Sequence, residues 1–243
     1  MHIPSAESRD IDILSFNDAL SASGKSGGYD TEKWLYVPDF YTEYRYILGV
    51  RGPDPLICIG INPSTAKPDD LDNTLKSVER IAAGNGYDGW MMFNVYAQRA
   101  TDPNDMDREL NVFLHEENMK AFEYILSGVA PGVSPAVWAA WGTIIEKRPY
   151  LKECVKDMVS IGKKHGAKWL CAGKCSRKGH PHHPLYLRSD EKTADFEIEG
   201  AHHGEHPLGE VQAGDAAVRV HPARDGEAEI ARAAGDEIGR AHV

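Results

Sequence analysis

Leu56-Ile57-Cys58-Ile59-Gly60-Ile61-Asn62-Pro63-Ser64 decides how the chain is read. Leu56 to Ile61 is a continuous apolar run, the pattern of a strand buried on both faces of a parallel sheet. The run breaks at an Asn-Pro pair, which places its first polar groups at the strand's carboxyl end. Ligands of open α/β sheets bind at that end.

A rhythm of helices and strands follows. Leu75, Val78, Ile81 and Ala82 recur at the spacing of a helix face over residues 74–83, with Asn73 or Thr74 as the cap and Gly84 and Gly86 as the stop. Trp90 to Val95 reads as a second buried strand. Met119, Phe122, Ile125 and Leu126 mark a helix ending at Gly128. Ala136 to Trp141 is a third strand. A helix opens near Pro149, a residue tolerated in a first turn, and runs through Leu151, Val155, Met158 and Val159. Lys168 to Ala172 is a short fourth strand. This alternation predicts a mainly parallel sheet of four short strands, covered by helices on both sides.

Upstream, residues 34–50 are rich in aromatic and β-branched side chains and read as one or two strands, an N-terminal extension of the sheet. Gly52-Pro53-Asp54-Pro55 is a turn. Residues 1–33 read as a flexible leader broken by Ser21, Ser23, Gly24, Ser26, Gly27 and Gly28. A single α/β domain is expected over 34–199. Residues 200–243, rich in Ala, Gly, Arg, Glu and His, read as a disordered or artefactual tail, because Glu237 to Val243 look like a translated sequencing-library adapter.

Composition narrows the classes of function. Hydrophobic residues make up 42% of 243, enough for a sizeable core, and no run is long enough for a membrane span. Four cysteines (Cys58, Cys154, Cys171 and Cys175) suit reduced thiols, and residues 1–10 lack a basic region followed by an apolar run, so a cytoplasmic location is expected. Net charge is -10; residues 1–199 hold 29 acidic and 23 basic side chains, a net of -6. Tight binding of duplex DNA, which requires phosphate neutralisation, is not expected of such a body.

Several segments carry groups able to do chemistry. Gly60 permits close approach of a ligand, Asn62 offers a donor and an acceptor, and Ser64 or Thr65 can bond the turn or a ligand. Taken alone, the segment is read first as an Asn-Pro turn that merely caps a strand. Asp69, Asp70 and Asp72 suit a divalent cation or, more simply, a solvated loop and a helix cap. In Phe93-Asn94-Val95-Tyr96, Asn94 stands at a strand end where an amide can read a heterocycle's edge, with Tyr96 available for stacking. Arg99 suits a phosphate or carboxylate, or a pair with Asp102. Gly179-His180-Pro181-His182-His183-Pro184-Leu185-Tyr186 packs three histidines between prolines that fix the backbone. Zinc on Cys171, Cys175, His180 and His183 is a rival reading, but the spacing matches no familiar zinc site.

The order GINPS, FNVYA, VWAAWG and GHPHHPLYL resembles an uncharacterised bacterial and phage family, a domain of unknown function, over about residues 40–190. More distantly it is similar to the uracil-DNA glycosylase superfamily, which implies a three-layer α/β/α sandwich. By that resemblance Asn62 orients the hydrolytic water, Asn94 reads the base, and His183 stabilises the leaving group. Ser64 and Tyr186 then line the pocket, and the residue-level readings of Gly60, Tyr96, Arg99 and His180 add them to the expected substrate-binding set. His183-Pro184-Leu185-Tyr186-Leu187 lacks the serines with which glycosylases pinch DNA phosphates, and the cysteines match no iron–sulfur ligand set of the superfamily. The expectation is a cofactor-free, glycosylase-like hydrolase. Its partner is a nucleobase-containing small molecule or single-stranded nucleic acid. A non-catalytic nucleotide-binding module and a metal-dependent hydrolase are the alternatives.

Overall fold

A computed structural model describes residues 12–25 and 27–198. The tail expectation for 200–243 therefore lies outside the described residues. The helices are α1 (Phe16–Ala22), α2 (Asn73–Gly84), α3 (Val112–Ser127) and α4 (Pro149–Lys164). The strands are β1 (Trp34–Val37), β2 (Ile47–Val50), β3 (Pro55–Gly60), β4 (Gly89–Asn94), β5 (Ala136–Ala139), β6 (Lys168–Ala172) and β7 (Thr193–Asp195).

They form one seven-stranded sheet in the order β1-β2-β4-β3-β5-β6-β7. The expected four parallel strands are its centre: β4, β3, β5 and β6 pair parallel, with Gly60 opposite Asn94 where β3 and β4 end. The sheet is larger than four strands: the N-terminal extension supplies β1 on β2 and β2 on β4, and the unforeseen β7 joins β6 at the other edge, all antiparallel. Parallel β3, fully buried along its length, accounts for the unbroken apolar run that predicted it.

Strand alternation divides the core in two. Ile57, Ile59, Met91, Phe93 and Val137 face one side, with Phe16 of α1, Phe122 of α3 and Val155 of α4. Leu56, Cys58, Met92 and Trp138 face the other, with Leu75, Val78 and Ile81 of α2. The helices thus cover both faces.

Two sequence readings change. Part of the expected leader is α1: Ser15 caps it, Phe16 packs edge-on to Tyr46 at 5.9 Å, and the Phe16 N–H donates to Glu117 of α3 at 2.7 Å. Before it, the Leu14 carbonyl accepts from Tyr46 and its N–H donates to Tyr44, each at 2.8 Å. Tertiary contacts of this kind hold helices too short to persist alone. The third strand stops at Ala139, because Trp141 and Gly142 already turn into a short 3-10 segment.

Candidate functional site

The four parallel strands release their chains at one rim of the sheet, and every expected site residue follows one of those strand ends or stands at it. Side-chain direction sorts them by face. Gly60 and Asn94, the last residues of β3 and β4, alternate with Ile59 and Phe93, so they face α2.

Asn94 is 1% exposed, and neither its amide nitrogen nor its oxygen meets a hydrogen-bond partner. A Cβ on Gly60 would stand 3.2 Å from the Asn94 Oδ1 and 2.5 Å from the Met92 Cε, so any larger residue must displace that methyl and crowd the amide. Buried polar groups are nearly always satisfied, and an exception needs an explanation.

Asn62 follows β3. Its Nδ2 donates to the Ala100 carbonyl at 2.5 Å and, more weakly, to Pro63 at 3.4 Å. The donor half of the amide thus ties the β3 exit to the β4 exit. Its Oδ1 accepts nothing among the described residues and stays available as an acceptor.

His183 opens a 3-10 turn, Pro184–Tyr186, that packs on α2. Its Cβ comes within 3.6 Å of where a Cβ on Gly142 would stand; with φ of 62°, Gly142 takes a left-handed conformation that suits glycine. The His183 Nδ1 accepts from the Leu185 N–H at 3.4 Å, which leaves the proton of the neutral ring on Nε2. Burial pushes the imidazole pKa below its ordinary value, and the Asp72 carboxylate partly offsets that fall.

His183 also lines a cavity of about 340 Å³, walled by Trp141, Gly142, Ile144, Pro181, Leu185 and Tyr186 together with His180 and His182. Its size and mainly apolar wall suit a small organic ligand. Tyr186, 75% exposed, stands at its edge, its ring centroid 6.1 Å from that of His183. His180 is less free than the sequence suggested. Its Nε2 meets Glu146 at 3.1 Å, and Lys178 reaches the same carboxylate at 2.7 Å. Bonds from Lys178 and then His180 hold that carboxyl down to about 2.

The remaining expected residues sit elsewhere. Tyr96 faces the α3 side, fully buried; its hydroxyl donates to Asp107 at 2.8 Å and its ring packs on Tyr150 at 5.2 Å, so it has no face left for stacking. The Ser64 hydroxyl accepts from the Ala66 N–H at 3.3 Å and its carbonyl accepts from Arg99, so Ser64 shapes the loop. Arg99 does not pair with Asp102, which instead caps the turn at Asn104. It is 3% exposed, bonded to the Ser64 carbonyl and, at 3.3 Å, to the Tyr36 hydroxyl.

Beside it lies Arg45, which the sequence reading passed over. It is 1% exposed and donates to the Ala66 carbonyl at 2.8 Å. Burial first, and Arg99 second, push its pKa down to about 9. The one signal in the sequence was a charge set among Tyr44, Tyr46 and Ile47.

Asp72 links the two halves of the rim. Its carboxylate caps α2 through the Leu75 N–H at 2.8 Å and favours the charged forms of both Arg45 and His183. Asp69 and Asp70 are exposed. Among the described residues no three His, Cys, Asp or Glu side chains are grouped to hold a metal, so neither the zinc set nor the 69–72 carboxylates converge.

The fold defines a mixed α/β protein whose candidate site residues gather at the carboxyl ends of its parallel strands. The chain belongs to the family described as protein of unknown function (DUF1643), whose model matches residues 45–185. No curated protein and no solved structure matches it.

Proposed function

We propose that the rim is the active site of a glycosylase-like hydrolase acting on a nucleobase, nucleoside or nucleotide. The observation that carries this reading is the Asn94 amide, buried without a protein partner at the end of β4. Two strand spacings separate β4 from β5, about 10 Å, which is the scale of a nucleoside. Along that rim follow the orphan Asn94 amide at the end of β4, the Asn62 Oδ1 after β3 and, beside Gly142 after β5, the His183 Nε2–H; neither asparagine lines the cavity at His183. The distant similarity to uracil-DNA glycosylases noted in the sequence assigns the same three positions.

The chemistry is hydrolysis of the bond between C1′ and a base nitrogen. The bonding electrons leave with the base, water held by the Asn62 Oδ1 delivers hydroxyl to C1′, and the water's other proton ends on the base. The His183 Nε2–H donates a hydrogen bond where negative charge grows, the kind of contact that acts mainly in the transition state.

The test combines base release with stability for three variants. Asn62→Ala and His183→Ala are each expected to slow single-turnover release of free base by about 10²–10³. Asn94→Ala is expected to weaken binding and blur base preference, since unpaired polar groups are what discriminate. Losses that merely track each variant's folded fraction would reduce all three residues to structural caps. Binding of a nucleotide without any base release would favour a non-catalytic nucleotide-binding module.

A further inference from the structure

Arg45 precedes β2 and Arg99 follows β4, and the Arg45 N–H to Ala97 carbonyl bond at 2.9 Å runs these two segments side by side. Both guanidiniums are buried, each lies in the other's neighbourhood, and neither forms an ion pair with a carboxylate among the described residues. The donor count is also incomplete. A guanidinium carries five N–H donors. Arg45 directs one nitrogen at Ala66, Arg99 directs two at Ser64 and the Tyr36 hydroxyl, and the Nε of each is buried without an acceptor. Neutral donors could hold the 61–66 loop equally well. Two buried like charges are a poor structural clamp, because desolvation and mutual repulsion act together.

We propose that Arg45 and Arg99 form an oxyanion site for a phosphate monoester. Two guanidiniums match a dianion in charge, and their planar forks match phosphate oxygens in geometry. The Tyr36 hydroxyl adds a donor, and the Tyr41 ring, 5.5 Å from the Arg99 guanidinium carbon, borders the site on the side of exposed Phe40 and Tyr41. Asp72 lies within electrostatic reach of Arg45, but its cap to Leu75 keeps it at α2. On the proposed function, Asn94 then takes the base and the arginine pair takes the phosphate, so the substrate class is a nucleoside monophosphate. That last step rests on the hydrolase reading; the anion site does not.

The test is thermal unfolding of the full chain with inorganic phosphate, against chloride at matched ionic strength, in wild type, Arg45→Met and Arg99→Met. Wild type should gain about 3–5 °C at tenfold excess over Kd, and each Met variant should lose that response. Without phosphate, Arg45→Met should melt no lower than wild type, since it relieves repulsion. If a Met variant fails to fold, Arg99→Lys and calorimetric phosphate titration of wild type decide instead: wild type binds and Arg99→Lys binds at least tenfold more weakly. No phosphate response in wild type, or an equal response in the variants, overturns the site. A monophosphate that binds no tighter than its nucleoside overturns the substrate class. Phosphate binding without base release sinks the hydrolase and leaves the anion site standing; base release without phosphate binding does the reverse.

Discussion

His183 shows how the burial of one side chain ties stability to pH. Burial holds its pKa below that of an unfolded histidine, with the Asp72 carboxylate working against the shift. The unfolded chain therefore takes up the proton first as pH falls. Stability from the neutral ring is complete above about pH 6.5 and is lost as pH falls through the lower folded value. We expect wild type to lose more urea stability than His183→Gln between pH 7.5 and pH 5.5; equal losses would place the ring in solvent. At this scale the sequence was half legible. Asn94 could be singled out because a polar residue ending an apolar run stands out, and His183 because three histidines stand close together among prolines. Arg45 could not, because alternation in residues 44–47 reads the same whether the charge faces water or the core. Contacts distant in sequence hold it inward: its N–H donates to the Ala97 carbonyl at 2.9 Å, and its guanidinium donates to the Ala66 carbonyl.

At the scale of elements, the N-terminus of α2 ties the rim together. Asp72 caps the helix and adds a secondary attraction for positive charge at Arg45 and His183, and two substitutions separate these roles. Asp72→Ala should cost about 1 kcal/mol of unfolding free energy, whereas Asp72→Asn, which keeps a capping oxygen, should cost far less. Both should lower the His183 pKa further, as followed by NMR titration of the ring. A His183 pKa that stays put in both variants would remove Asp72 from the site. The same contrast explains what the sequence revealed of the fold. α2, α4 and the four parallel strands are long or apolar enough to be read from pattern alone. α1 has seven residues with two buried anchors, Phe16 and Ala19, and depends on Glu117 and Tyr46. β7 has three residues, largely exposed, and exists by pairing with β6. Such elements are made by contacts distant in sequence.

For the whole molecule, charge sets the outer limit on partners. Residues 1–199 carry a net of -6, and positive charge gathers in the segment after β6, where Lys174, Arg177, Lys178 and Arg188 precede the next acid, Asp190. Two of these four are engaged, Lys178 with Glu146 and Arg188 with Asp190. We expect weak binding to random duplex DNA at physiological salt, because few cations remain to displace counterions. A salt titration showing tight binding with a steep slope would contradict this. No described helix is long and apolar enough to cross a membrane.

The antiparallel seam between β2 and β4 has a consequence for synthesis. β2 leaves the ribosome early, but its partner follows only after β3 and α2 have been made. At about 5–20 residues per second, β2 waits seconds with that edge unpaired. A nascent chain stalled before residue 89 has Arg45 but not Ala97, to whose carbonyl it donates, and Arg99 has not yet been made. The two arginines can meet only after β4 has been made, so their burial marks the joining of the antiparallel edge to the parallel strands, before β5, β6 and β7 exist.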